Sequence, residues 1–332
     1  MSGNQPTPER ILQISTGGWA ASILGAAVSH HLFAHVESGE DTAEKLAKRA
    51  EISERGAQTL LDGLLGLGLI AQRDGTYRNT PEASAFLIEG RPTYIGGFAK
   101  VLLAGAGLWS DLPEVVRTGA PVMAQTHDVA DNPFWEELVP AIAPFSAPVA
   151  KIAADTLQLA EAGEISILDV GGGSGIYSAI WLGINHAARS TQLDWGPVNA
   201  IARRLVAEHG VADRFACIDG DLHTTDFGVT AYDVAVYSHV AHQEGPEDNK
   251  AILAKLRRAL KPGGTLVVSD LVVEDDRSGP SFPLIFASQM LLQSKHGTTW
   301  RRADYQAWLA QAGFEDISFQ STPTPSTLVY AR

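Results

Sequence analysis

Ile167-Leu168-Asp169-Val170-Gly171-Gly172-Gly173-Ser174-Gly175 is an apolar run that ends in glycines just before a helical stretch, Ile176 to Leu182. Glycine admits positive φ and lets a backbone approach a ligand with no Cβ in the way, while the start of the following helix offers free N–H donors. A tight turn with no ligand has the same local signature, so the surrounding sequence must decide. The next apolar run ends in Leu193-Asp194, about twenty residues after the turn, where an acid can accept both hydrogen bonds of a ribose diol. The third ends in Asp219-Gly220-Asp221-Leu222, a carboxylate beside an apolar side chain, which suits a purine ring, although Asp221 also reads as an ordinary turn residue. Runs at 165–170, 190–193, 214–218, 232–237 and 265–270 alternate with helical segments, the pattern of a parallel sheet. A nicotinamide fold fits less well, because its third fingerprint glycine would fall at Ile176.

Toward the N-terminus the texture is helical. Ile23, Ala26, Ala27, His30 and Phe33 recur at helical spacing along one long helix, Trp19 to Val36, with little charge on any side. The apolar stretch Ile11 to Phe33 contains Gly17, Gly18, His30 and His31, costly in a bilayer, and reads as buried helix covered by another subunit. Thr42 and Ser53 are N-caps of two shorter helices, Asp74-Gly75 is the turn of a small hairpin, and Thr80-Pro81 opens another helix. Helices plus a hairpin suggest a winged helix. A winged helix can read DNA, but Glu54, Arg55 and Asp62 leave its helix with little positive charge, so a dimerisation scaffold is the better reading. From 98 to 157, Pro113, Pro121, Pro133, Pro140 and Pro144 imply a connector of short helices.

Composition narrows the class. The 332 residues are 45% hydrophobic and 19% charged, an ordinary globular balance. The formal net charge of -13 repels phosphate and anionic lipid, arguing against nucleic acid or membrane as partner. Cys217 is the single cysteine, which excludes an intrachain disulfide and fits a reducing cytoplasm. The polar segment Met1 to Arg10 lacks the pattern of a secretory signal.

Asp169-x-Gly171-x-Gly173-x-Gly175, Asp194, Gly220-Asp221 and Leu260-Lys261-Pro262-Gly263-Gly264 resemble, in order, the motifs of class I S-adenosylmethionine-dependent methyltransferases. With Trp19 to Phe33, the winged-helix region, Leu108-Trp109-x-x-Leu112 and Ala312-Gly313-Phe314, nearly the whole chain is similar to the small-molecule O-methyltransferases that carry an N-terminal dimerisation domain. The resemblance implies an α/β fold: a Rossmann-like class I methyltransferase domain with a mostly parallel seven-stranded sheet at 158–332. It also implies a mostly helical winged-helix dimerisation domain at 1–97 and a helical connector at 98–157 contributing to the acceptor pocket. It further implies S-adenosylmethionine bound by Gly171, Gly173, Asp194, Asp221, Leu222 and Ser238.

In Ser238-His239-Val240-Ala241-His242, the catalytic base falls by resemblance at His242, with His239 as support and Asp270 as the acid that orients it. Neutral imidazole suits proton removal from a phenol, although His242 could instead cap the next helix or pack. His239 and His242 as a metal pair lack a clear third ligand, so no metal is expected. The chain departs from the family at Gln243, where aspartate is common, and near Gly297, where Thr299 stands in place of a second acid. Aromatic and sulfur side chains at Phe134, Trp135, Phe145, Phe286, Met290 and Trp300 are candidates for the acceptor, with Trp135, Phe286 and Met290 foremost. The implied protein is a cytoplasmic homodimer that methylates a small aromatic metabolite at oxygen. The alternatives are a nitrogen or carbon acceptor served by proximity, or a homologue that uses the cofactor without transferring methyl.

Overall fold

The computed structural model describes residues 6–121 and 134–332; Pro133, one of the expected helix breaks, lies outside them. The chain divides into two compact units, Met1–Gly107 and Leu108–Arg332.

The first unit runs α1 (Glu9–Ser15), α2 (Gly17–Ser29), α3 (Leu32–Glu37), α4 (Ala43–Ala50), α5 (Glu54–Gly66), β1 (Ile70–Arg73), β2 (Thr76–Asn79), α6 (Pro81–Phe86) and α7 (Gly96–Ala104). Its local signals act as the sequence predicts. Thr42 accepts from Lys45 N at 3.3 Å, Ser53 from Gly56 N at 3.0 Å and Thr80 from Ala83 N at 3.3 Å, each satisfying an orphan donor of a first helical turn. Asp74 and Gly75 both take positive φ, as a two-residue hairpin requires. The single helix expected from Trp19 to Val36 is instead two. His31 adopts a left-handed conformation, φ 53°, and starts a new direction for α3. Leu32, Phe33, Val36, Leu46, Leu61 and Leu64 form the core of the unit. The expectation of burial for Ile11 to Phe33 holds only for its second half, since Ile11, Leu12, Ile14 and Trp19 are 58–71% exposed within the chain.

The second unit runs α8 (Leu112–Thr118), α9 (Phe134–Thr156), β3 (Ser166–Val170), α10 (Ile176–Ile184), β4 (Arg189–Asp194), α11 (Gly196–Glu208), β5 (Phe215–Asp219), β6 (Tyr232–Ser238), α12 (Pro246–Ala259), β7 (Leu260–Asp270), α13 (Ser281–Gln293), α14 (Arg302–Gln311), β8 (Ser318–Ser321) and β9 (Thr327–Ala331). The sheet has seven strands in the order β5-β4-β3-β6-β7-β9-β8, all running the same way except β9, which is antiparallel to both β7 and β8. β7 begins five residues earlier than its apolar run, because Leu260 already pairs with Tyr232 and a register shift absorbs the Pro262-Gly263-Gly264 segment.

Prolines do not break the connector as expected. α9 is continuous for 23 residues through Pro140, Pro144 and Pro148. Their four-residue spacing puts all three on one face, so the carbonyls that lose a donor, those of Glu136, Pro140 and Pro144, also share a face. Pro140 and Pro148 are exposed, which leaves that face to water. By length and composition α9 could cross a bilayer. Its other face is instead committed to the fold: Val149, Ala150, Ala153 and Ala154 are buried with Trp181, whose indole N–H donates to Ala150 O at 2.7 Å.

The exposed side chains of α1 and α2 form an apolar face that a soluble monomer would leave in water. The protein should therefore be dimeric in light scattering at micromolar concentration, and the double substitution Ile14→Glu, Trp19→Glu should shift it to monomer. A stable wild-type monomer would contradict this.

Candidate functional site

The carboxyl edge of the sheet gathers the ends of β3, β4, β6 and β7, the place where open α/β sheets bind ligands. Gly171, Gly173 and Gly175 all take positive φ there. Space as well as conformation demands glycine at two of them. A Cβ on Gly171 would lie 2.5 Å from Val240 Cγ2, and one on Gly175 would lie 3.0 Å from Val206 Cγ2. The turn is thus pressed against β6's exit on one side and α11 on the other.

A cleft opens over this turn, lined by Gly171 to Ser174, Asp194, Trp195, Leu222, Ser238 and His239, with Trp135 and Val139 of α9. Asp194 is fixed by two backbone donors, Gly173 N to Oδ2 at 2.9 Å and Trp195 N to Oδ1 at 2.7 Å. Burial, only partly offset by these donors, pushes its carboxyl up to about 6. Asp169, beneath the turn and accepting from Ser178 Oγ at 2.9 Å, is pushed by burial up to about 7. Both folded values exceed the unfolded ones, so the ligand-free fold loses stability as pH rises from about 4 toward 7 and these carboxyls ionise. Donors from a bound diol would offset that cost at Asp194.

Of the cofactor residues expected from the sequence, Gly171, Gly173, Asp194, Leu222 and Ser238 come together at the cleft. Asp221 is placed differently. Its carboxylate folds back on its own turn and accepts from His223 N at 2.7 Å, while Gly220 and Leu222 face the cleft. Trp195 went unread in the sequence. It packs edge to face with Trp135 at 5.9 Å and walls the cleft, and its place directly after the strand-ending acid was the available signal. Acid, glycine turn and apolar walls suit an adenosyl group, and the bare backbone at Gly173, where a Cβ would meet nothing nearer than Val139 Cγ1 at 3.7 Å, leaves the approach open.

His242 lies on a turn after β6 and is buried. Its Nδ1 is 2.6 Å from Asp270 Oδ1, and its backbone N donates to Asp270 Oδ2 at 3.0 Å. Asp270, at the end of β7, is fully buried. Burial opposes its charge, but His242 and the backbone N–H of Leu271 outweigh that effect and hold the carboxyl below the usual range. His239 sits on the other side of the same acid, its Nδ1 4.0 Å from Asp270 Oδ1 and its Nε2 2.9 Å from Ser326 Oγ. Burial brings its pKa down to about 4, so it is neutral at physiological pH. Asp270 is the third group that a metal reading of the two histidines lacked, with ligand atoms within 4.8 Å of one another. Its oxygens are already engaged by His242 and by Leu271 N, which accounts for the cluster as a hydrogen-bonded dyad.

The aromatic candidates separate into distinct places. Phe286 of α13 meets the His242 ring edge to face at 5.1 Å, and Phe282 stacks on Phe286 at 6.1 Å. Met290, one turn further along α13, is buried. Trp135, with Phe134 packed on it at 5.6 Å, belongs to the glycine cleft. Phe145 is partly exposed on α9. Trp300 serves the histidine turn, donating from Nε1 to Ala241 O at 2.8 Å. Thr299 is buried, and its hydroxyl has no hydrogen-bond partner among the described residues.

Comparison with known proteins places this geometry. Residues 149–315 match the O-methyltransferase domain family and residues 12–89 the O-methyltransferase dimerisation domain family. The chain is 33% identical to 3-hydroxy-5-methyl-1-naphthoate 3-O-methyltransferase of Streptomyces sahachiroi, over 95% of this chain and 93% of the relative. It is 30% identical to the tetracenomycin polyketide synthesis 8-O-methyl transferase TcmO of Streptomyces glaucescens, over 98% and 96%. Human N-acetylserotonin methyltransferase, solved in complex with SAM, has the same fold with a TM-score of 0.86 at 22% identity, covering 100% of this chain and 99% of that one.

Asp194→Ala should weaken S-adenosylmethionine binding by about 1.5–3 kcal/mol, the usual worth of hydrogen bonds to a charged group. Because the ionised carboxylate is the acceptor, wild-type affinity should fall as pH drops through about 6, and Asp194→Asn should flatten that dependence. Calorimetry between pH 5 and 8 reads both. An unchanged affinity in the alanine variant would remove Asp194 from the site.

Proposed function

The chain belongs to the O-methyltransferase family and is an S-adenosylmethionine-dependent methyltransferase acting on oxygen; from that premise we propose that it methylates a phenolic hydroxyl of a small aromatic metabolite, with His242 as base. The observation that carries the role of His242 is its 2.6 Å contact with buried Asp270 at the carboxyl edge of the sheet. When bound, S-adenosylmethionine supplies an electrophilic methyl group on its sulfonium sulfur.

The chain's own residues supply the rest. Asp270 is ionised and accepts from Nδ1–H, which leaves Nε2 of His242 as the unprotonated nitrogen. A phenol whose hydroxyl reaches Nε2 gives up its proton there as its oxygen takes the methyl group. The imidazolium so formed stands beside a negative carboxylate, which stabilises it until the proton leaves. Neutral His239 adds no opposing positive charge. The Phe286 and Phe282 rings offer flat apolar surface next to the base, which suits an aromatic acceptor. The names of the naphthoate and tetracenomycin relatives support the same class. Gly171, Gly173, Asp194, Leu222, Ser238 and Trp195 hold the cofactor in this reading, and Met290 with Phe286 bounds the acceptor. The protein works as a homodimer through its dimerisation domain, in the cytoplasm, on small molecules rather than nucleic acid or membrane.

Incubation with methyl-labelled S-adenosylmethionine and a panel of hydroxynaphthoates tests the activity directly. Label transferred to oxygen is expected, whereas tight cofactor binding with no transfer to any phenol would overturn it. With the best phenol of that panel, His242→Ala should lose about 10²–10⁴ in turnover at neutral pH, with cofactor affinity unchanged. Raising pH toward about 10 ionises the phenol and should restore much of the loss. Full activity of the variant at neutral pH would refute the base role and favour proximity alone.

A further inference from the structure

We propose that Asn249 is a positioning residue for His242, fixing the base through the backbone of its turn, with Ser294, the C-cap of α13, as its partner on the acceptor side. The inference rests on the reading of His242 as base. Residues 241–245 form neither helix nor strand, so the carbonyls of this buried turn have no ladder to satisfy them. Asn249, in the first turns of α12 and fully buried, reaches three of them with its two amide hydrogens, one of which is shared. Its Nδ2 donates to Ala241 O at 2.9 Å, to Gly245 O at 3.1 Å and to Glu244 O at 3.2 Å. The hydroxyl of Tyr237 donates to Asn249 Oδ1 at 3.1 Å, and the backbone carbonyls, which can only accept, settle which end of the amide faces the turn.

The opposite flank is closed by the residues after α13. Ser294 Oγ donates to Gln243 O at 2.9 Å and accepts from Gly297 N at 2.8 Å. Gly297 lies so near that a Cβ on it would stand 2.4 Å from His242 O. The carbonyls on both sides of His242 are therefore held by side chains from α12 and from the C-cap of α13, the helix that carries Phe286. Asp270 fixes the ring's rotation, and the clamp on residues 241–245 fixes where the ring stands.

Removing the Asn249 amide takes a side-chain donor from this turn; Ala241 O keeps Trp300 Nε1 and Gly245 O keeps the Asn249 backbone N, so the turn stays folded but is held less tightly and the ring can shift. A displacement of about 1 Å at a reacting group can cost about 10²-fold. With the phenol that the wild type methylates fastest, Asn249→Ala should lower kcat about 10- to 100-fold, and Ser294→Ala, which removes one bond, should lose less. Cofactor Kd should stay within about twofold in both, and both losses should shrink as pH approaches about 10, where an ionised phenol no longer needs an aligned base. A purely structural role predicts a different result: lower melting temperature and weaker cofactor binding, with a deficit that high pH does not repair. That result, or unchanged kcat in both variants while His242→Ala is impaired, overturns the proposal alone. A fully active His242→Ala overturns the base reading and this proposal with it. If Asn249→Ala does not fold, Ser294→Ala carries the same test.

Discussion

The buried carboxylate of Asp270 organises the reactive edge of the molecule. A charge without solvent is stable only if donors surround it, and here the donors are His242 Nδ1, His242 N and Leu271 N. Satisfying that carboxylate therefore places the histidine. The same contact decides which ring nitrogen is free and lowers the cost of the imidazolium. β7 must end at this depth for the arrangement to exist, and its pairing with β6 on one side and β9 on the other sets that depth.

The cofactor side uses the opposite balance. Asp169 and Asp194 have too few donors for their burial, and both carboxyls are held well above ordinary values. This leaves the ligand-free cleft under electrostatic strain that hydrogen bonds from a ligand can relieve. An acid already saturated, like Asp270, would have little to gain from a ribose. Acids of one chemical type thus take different roles at one sheet edge because Asp270 has a histidine beside it and Asp169 and Asp194 do not.

Much of the fold was legible locally. Glycines at 171, 173 and 175 announce a positive-φ turn, and threonine and serine caps, the Asp74-Gly75 hairpin and the alternation of strand and helix all act over a few residues. Where competing signals had to be weighed over distance, sequence reasoning failed. Prolines in α9 read as breaks, yet their four-residue spacing confines the lost hydrogen bonds to one outer face while the other packs on Trp181. The helical spacing runs on from His30 to Phe33, but His31 between them takes a left-handed conformation that separates two helices.

Within the site, the sequence by itself determined the residue types and their order along the chain: the glycine turn, Asp194, the paired histidines and Asp270. Each is announced by its position at the end of an apolar run, and strand ends are set by local patterning. Which groups meet was decided only by the tertiary structure. Asp221 turns away to its own loop, Trp135 joins the cleft rather than the wall beside His242, and Trp300, Asn249 and Ser294 bind the histidine turn. The bonds of Trp300 and Ser294 join residues 59 and 51 positions apart, and even the short-range partners of Asp221 and Asn249 are chosen by packing of the sheet and its helices. No spacing along the chain encodes that choice.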